Sequence, residues 1–102
     1  MAGKAIWERD GAAGLHLRGD WRLDALNQTL HRDAKILLRQ PWTQLSLAED
    51  TEVDSATLAF LLDWQSAQRA LGSPATILHP PPALEALLQL YGLEGLWRTS
   101  ST

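Results

Sequence analysis

The run Val53-Asp54-Ser55-Ala56-Thr57-Leu58 is where this sequence comes closest to chemistry. An acid and a hydroxyl stand just ahead of an apolar helical pattern, and at a helix start either can accept hydrogen bonds from free backbone N–H groups. Such a cap stabilises by about 0.5–2 kcal/mol and needs no further role. The same geometry has a second use. A hydroxyl held at the positive end of a helix is placed to carry a phosphate, or to touch a partner's surface. Wound at about 100° per residue, Leu58 and Leu62 fall beside Ser55 on the otherwise polar side of that helix. Two leucines at i and i+4 there fit a partner surface, or else a first turn buried all round where the helix leaves a sheet.

The remaining reactive residues form no comparable group. His16, His31 and His79 show no metal-ligand spacing, since no two stand at i, i+3 or i+4. A Ser55–His79–Asp54 hydrolase can be drawn, because strand ends gather at one edge of such sheets. Yet no G-x-S-x-G elbow or oxyanion loop accompanies Ser55, and no G-x-x-x-x-G-K-[ST] loop occurs anywhere. No catalytic residue, metal ligand or cofactor is therefore assigned. Five tryptophans are many for this length. Trp64 falls in a core stripe and Trp7 is grouped with it. Trp21 and Trp42 lie in connections beside Arg22 and Pro41, where an amphipathic ring serves a core or an interface. Trp97 stands near the end of the chain. Their spacing carries no base-stacking pattern.

Short strands alternating with helices would position these residues. Ala5–Arg9 and Leu15–Arg18 flank the Gly-rich turn Asp10-Gly11-Ala12-Ala13-Gly14 and read as a β-hairpin. From Asp24 to Arg39 the period becomes helical, with Leu26, Leu30, Ala34, Leu37 and Leu38 on one face, Asp24 as N-cap and Pro41 as stop. Thr43–Ala48 is the next strand. A second helix runs from about Ala56 to Leu71, capped by Asp54 or Ser55 and closed by Gly72. Its expected buried stripe is Phe60, Leu61, Trp64, Ala67 and Leu71. Pro74–His79 is a short strand, and Pro82 opens a third helix carrying Leu84, Leu87, Leu88 and Tyr91 and ending at Gly92. Leu93–Trp97 forms a closing segment, and residues 99–102 a frayed tail. Strands joined through helices pair in parallel with right-handed crossovers. The expectation is an α/β domain over residues 1–102, a small mixed sheet with an N-terminal hairpin and parallel strands, flanked by three or more helices.

Composition narrows the function classes. The 102 residues are 45% hydrophobic and 21% charged, enough for a core without metal or disulfide staples. No cysteine occurs, which excludes disulfide scaffolds, thiolate metal sites and cysteine nucleophiles. Twelve acids against nine bases give a net charge of −3, which argues against a mainly electrostatic grip on nucleic acid or anionic lipid. The longest apolar stretch, Leu58–Leu62, is far short of the roughly 20 residues a bilayer crossing needs. The first residues lack the apolar run of a signal peptide, so a cytoplasmic address without direct membrane insertion is expected.

Taken together, Val53-Asp54-Ser55, the apolar helix after it, Gly72, the strand Ala75-Thr76-Ile77-Leu78, Pro80-Pro81-Pro82-Ala83-Leu84 and Leu90-Tyr91-Gly92-Leu93 resemble a STAS domain. The likeness is densest over Leu45–Leu96. It implies a mixed sheet flanked by helices and a non-catalytic role in protein interaction. Within the family, the chain's length and its Leu-rich second helix are most similar to the MlaB-type subunit of the Mla phospholipid ABC transporter. That resemblance implies a cytoplasmic subunit that binds and stabilises or regulates a transporter ATPase, and through it meets a membrane permease. Asp54, Ser55, Thr57, Leu58 and Leu62 would form the contact. The alternative within the family is an anti-sigma-factor antagonist switched by phosphorylation of Ser55. Antagonists usually have Gly where Thr57 stands.

Overall fold

Leu15 and Leu17 in one segment, and Leu45 and Leu47 in another, alternate as strands with one buried face should. In the computed structural model, which describes residues 3–73, 75–78 and 80–97, they lie on neighbouring strands, β2 (Gly14–Gly19) and β3 (Gln44–Leu47). β1 (Ala5–Asp10) pairs antiparallel with β2, and β3 pairs in parallel with both β2 and β4 (Thr76–Leu78). The sheet order is β1-β2-β3-β4, and the helices are α1 (Leu23–Arg39), α2 (Ser55–Ala70) and α3 (Pro82–Leu90). This is the α/β architecture expected, a mixed sheet with a hairpin at one edge. The expected tail at 99–102 and His79 lie outside the described residues.

One face of the sheet carries the core. Leu15, Leu17, Leu45 and Ile77 are buried there with Leu26 and Leu37 of α1, Leu61 and Trp64 of α2, and Leu84 and Leu88 of α3. The register sets Trp7 opposite Leu17, so Trp7 shares that face, half-buried and edge-on to Trp42 at 6.4 Å. Alternation sends Glu8, His16 and Ser46 to the other face, where His16 Nδ1 and Ser46 Oγ share a hydrogen bond of 2.8 Å.

Gly72 and Gly92 each end a helix. After α2 the chain turns at Gly72 (φ +75°), and the Gly72 and Ser73 N–H groups donate back to Arg69 and Gln68 carbonyls. Gly92 (φ +70°) repeats this after α3, with Gly92 and Leu93 donating to Gln89 and Leu88. These paired bonds satisfy the last free carbonyls, and the left-handed residue between them favours glycine.

Several expectations are corrected. α1 starts at Leu23, one residue before Asp24, and its N-cap residue Arg22 makes no side-chain cap bond. Leu71 and Tyr91, expected in buried stripes, are 46% and 53% exposed, because each is the residue at which its helix ends and the chain turns away. Leu30, Ala34 and Leu38 of the α1 stripe are only half-buried, as is Ala67 of α2. Trp21 and Trp42, both readable as interface rings, are fully buried. Each indole N–H finds a backbone carbonyl, Trp21 that of Arg18 at 2.9 Å and Trp42 that of Ile36 at 3.2 Å, which offsets the cost of burying a polar tip.

Candidate functional site

The start of α2 is built around the Asp54 carboxylate. Asp54 is the N-cap, in extended conformation, and its Oδ1 accepts the N–H groups of Ala56 at 3.0 Å and Thr57 at 3.2 Å. Thr57 returns the favour, its Oγ1 accepting the Asp54 N–H at 3.0 Å, so the capping box is closed. The other carboxylate oxygen, Oδ2, accepts the Leu23 N–H at 3.0 Å. One side chain thus satisfies the first free donors of two helices, α2 and α1, which explains why α1 needs no cap of its own. The Thr57 hydroxyl also donates to the Trp21 carbonyl, tying the α2 start to the segment between β2 and α1.

That division of labour leaves Ser55 outside the cap. Ser55 is exposed at the first position of α2, and Ala59 and Leu62, at i+4 and i+7, continue an exposed stripe from it. Leu62 is 38% exposed. Leu23, 51% exposed, borders the same end through the Asp54 bond.

The structure therefore divides the expected contact residues. Ser55 and Leu62 reach the surface, and Asp54 lies half-buried beneath them. Thr57 and Leu58 do not reach it, and as direct contacts they are corrected. Thr57 is fully buried because its hydroxyl is used twice inside the fold, and Leu58 joins the core cluster at 5% exposure. A hydrolase built on Ser55–His79–Asp54 loses its orienting acid, since three backbone N–H groups already occupy Asp54. His79 lies outside the described residues.

A second charged group stands beside the helix starts. Asp20 is buried, and its carboxylate accepts the Arg22 backbone N–H at 2.9 Å and the Arg22 Nε and Nη2 groups at 3.0 Å. Arg22 Nη2 also lies 3.5 Å from Glu52. The Arg22 guanidinium, followed by the Arg22 backbone N–H, holds the Asp20 carboxyl below its ordinary range against the opposing effect of burial. Gly19 makes this corner possible. Its φ of +86° and its closeness to the Lys4 carbonyl leave no room for a Cβ. An open cleft of about 540 Å³ lies between these groups, lined by Lys4, Asp20, Arg22, Gln28 and Asp54 among others. Reading the sequence missed this corner, although Asp followed two residues later by Arg is an available sign of a side chain folding back on its own backbone.

Among the described residues, no helix is long and apolar enough to cross a membrane. Comparison with known proteins then finds three things. The family model described as MlaB, STAS domain, matches residues 6–98. No match is found among curated proteins. Among solved structures, the Bacillus cell fate determinant SpoIIAA in its phosphorylated form is similar, with a TM-score of 0.64 and 18% identity over 91% of this chain and 86% of that one. At that identity the likeness concerns the fold.

Proposed function

The chain belongs to the MlaB-type STAS domain family, a family of regulatory and interaction domains, and from that premise we propose that it is a non-catalytic subunit of a phospholipid-transporting ABC complex. In this reading it sits on the cytoplasmic side, binds the ATPase subunit, and favours the assembled form that contacts the membrane permease. A protein that binds only the assembled state shifts the equilibrium toward it by mass action. The transported phospholipid would serve outer-membrane lipid asymmetry.

The observation that carries the reading is the Ser55 hydroxyl. It is exposed at the start of α2 while Asp54 and Thr57 do the capping, so it is free for another molecule without loss to the fold. Leu62 and Leu23 supply apolar area around it. Affinity purification of the tagged protein from its own cells in mild detergent tests this directly. Recovery of an ABC ATPase with a permease, and Ser55 unmodified by intact mass, is the expected result. Ser55→Arg should then weaken ATPase binding about tenfold or more, with far-UV spectrum and melting temperature near wild type. Unchanged affinity in that variant removes Ser55 from the contact.

The second reading is a signalling antagonist phosphorylated on Ser55, supported by the same free hydroxyl and by the phosphorylated state of the similar SpoIIAA. Thr57 weighs against it. Antagonists usually have Gly at that position, and here a β-branched side chain is buried there with its hydroxyl bonded to the Trp21 carbonyl and the Asp54 N–H. Recovery of a soluble kinase, with a phosphate-sized mass on Ser55, would establish this second reading instead.

A further inference from the structure

The two edges of the sheet are not alike. β4 spans three residues, Thr76–Leu78, with Pro80-Pro81-Pro82 following it. A short strand beside prolines is a guarded edge. β1 is six residues long and holds no proline, and it pairs on one side only. The Asp20 N–H donates to the Lys4 carbonyl at 2.9 Å, two residues before Ile6 meets Arg18. In an antiparallel ladder this turns the backbone groups of even-numbered β1 residues toward β2, and those of Ala5, Trp7 and Arg9 outward. Thr29 Oγ1 reaches the Ala5 carbonyl at 3.4 Å. Among the described residues the outward N–H and C=O groups of Trp7 and Arg9 have no partner. An open groove of about 370 Å³ runs beside this edge, between β1 and α1.

We propose that β1 is a pairing surface for a second copy of this chain, joined antiparallel about a two-fold axis through Trp7. In that register Trp7 pairs with Trp7 and Ala5 with Arg9 of the second copy, so the unpartnered groups of Trp7 and Arg9 each meet a complementary one, the Ala5 carbonyl accepting the Arg9 N–H through the lone pair that the Thr29 hydroxyl leaves. The helices of both copies then stay on the same side of one continuous sheet. The charges select this register. Lys4 falls opposite Asp10 of the second copy at both ends of the ribbon. Both residues are exposed, and neither is in a salt bridge among the described residues. Each such pair lies at a non-hydrogen-bonded position, where facing side chains approach most closely. Slipping the strands by one residue pair in one direction sets Glu8 opposite Glu8. Slipping them the other way carries Asp10 past the start of the partner strand and sets Lys4 opposite Glu8, a carboxylate that Arg18 of its own chain already holds at 3.1 Å. The charges that usually guard an edge here favour one arrangement, in which the unpaired Lys4 and Asp10 meet.

Sedimentation equilibrium of the full chain, from about 1 µM to about 1 mM, tests the proposal. The wild type should show a concentration-dependent monomer–dimer equilibrium. Lys4→Glu and Asp10→Lys should each raise the dimer dissociation constant about tenfold or more, because each reverses both end pairs. The double variant, Lys4→Glu with Asp10→Lys, exchanges the charges and should dimerise again. Circular dichroism of all three variants keeps a folding defect separate from a pairing defect. A wild type that is monomeric throughout overturns the proposal. So does a dimer indifferent to both single changes, or a double variant no tighter than the singles.

Discussion

Asp54 holds two helix starts that are far apart in sequence, through one oxygen to Ala56 and Thr57 and through the other to Leu23. Asp54→Ala therefore uncaps both, and we expect a loss of about 3 kcal/mol in urea unfolding, more than the roughly 0.5–2 kcal/mol of one cap. Asp54→Asn keeps one acceptor oxygen and should recover about half of it. If Asp54→Ala costs no more than a single cap, the bond to Leu23 contributes nothing. The local half of this arrangement was legible in the sequence, since an acid ahead of an apolar helical run is a capping signal. The other half was not, because Leu23 lies 31 residues away and only the fold brings it near. The same limit explains Thr57. Its type and position fit a surface contact, and what buries it is the Trp21 carbonyl, a backbone atom no spacing rule points to.

At the scale of elements, α2 does more than cover the sheet. Gln68 is fully buried on it, accepting the Trp42 N–H at 2.7 Å and donating to the Gln40 carbonyl at 2.9 Å. Ser73, just past the helix, donates to the Trp42 carbonyl at 2.8 Å. The connection that Pro41 forces out of α1 is thus stitched to the end of α2. Gln68→Leu would leave a buried N–H and a C=O without partners, and we expect a loss of about 2–4 kcal/mol by chemical denaturation. A loss under about 1 kcal/mol would mean that water replaces the amide. Helical periodicity from Phe60, Leu61 and Trp64 does lead to position 68, yet a glutamine is not a residue that periodicity counts as core. Periodicity counts Ala67 and Leu71 instead, and both are more exposed than Gln68. Element order, strand pairing, the ends of α2 and α3 and the start of α3 were legible for the opposite reason. Each rests on local signals, the Gly-rich turn at 10–14, Pro82, Gly72 and Gly92, that no distant contact overrides.

For the whole molecule, two carboxylates tie stability to pH. Arg22 holds Asp20 below the ordinary Asp value of 3.8. Hydrogen bonds from Arg32 and then from the Trp7 indole, at 2.8 Å from Asp33 Oδ2, do the same for Asp33. A depressed carboxylate stabilises the fold fully above its unfolded value and loses that contribution as pH falls through its folded value. The melting temperature should therefore be little affected by these two groups down to about pH 5, and fall as pH drops below the 3.8 range. Asp20→Asn and Asp33→Asn combined should lower stability at neutral pH and flatten the acid limb of a melting-temperature profile. An acid limb as steep as wild type would assign the acid sensitivity to other carboxylates.

The bond from the Thr57 hydroxyl to the Trp21 carbonyl has an optical consequence. The Trp21 indole stacks on Phe60 of the same helix, with ring centroids 5.7 Å apart and planes at 24°. Backbone and ring of Trp21 are both fastened to α2, within two turns of Ser55. A molecule that presses on the exposed end of the helix also moves a fluorophore sealed from water, so the intrinsic emission of this protein carries a gauge of what happens at that end.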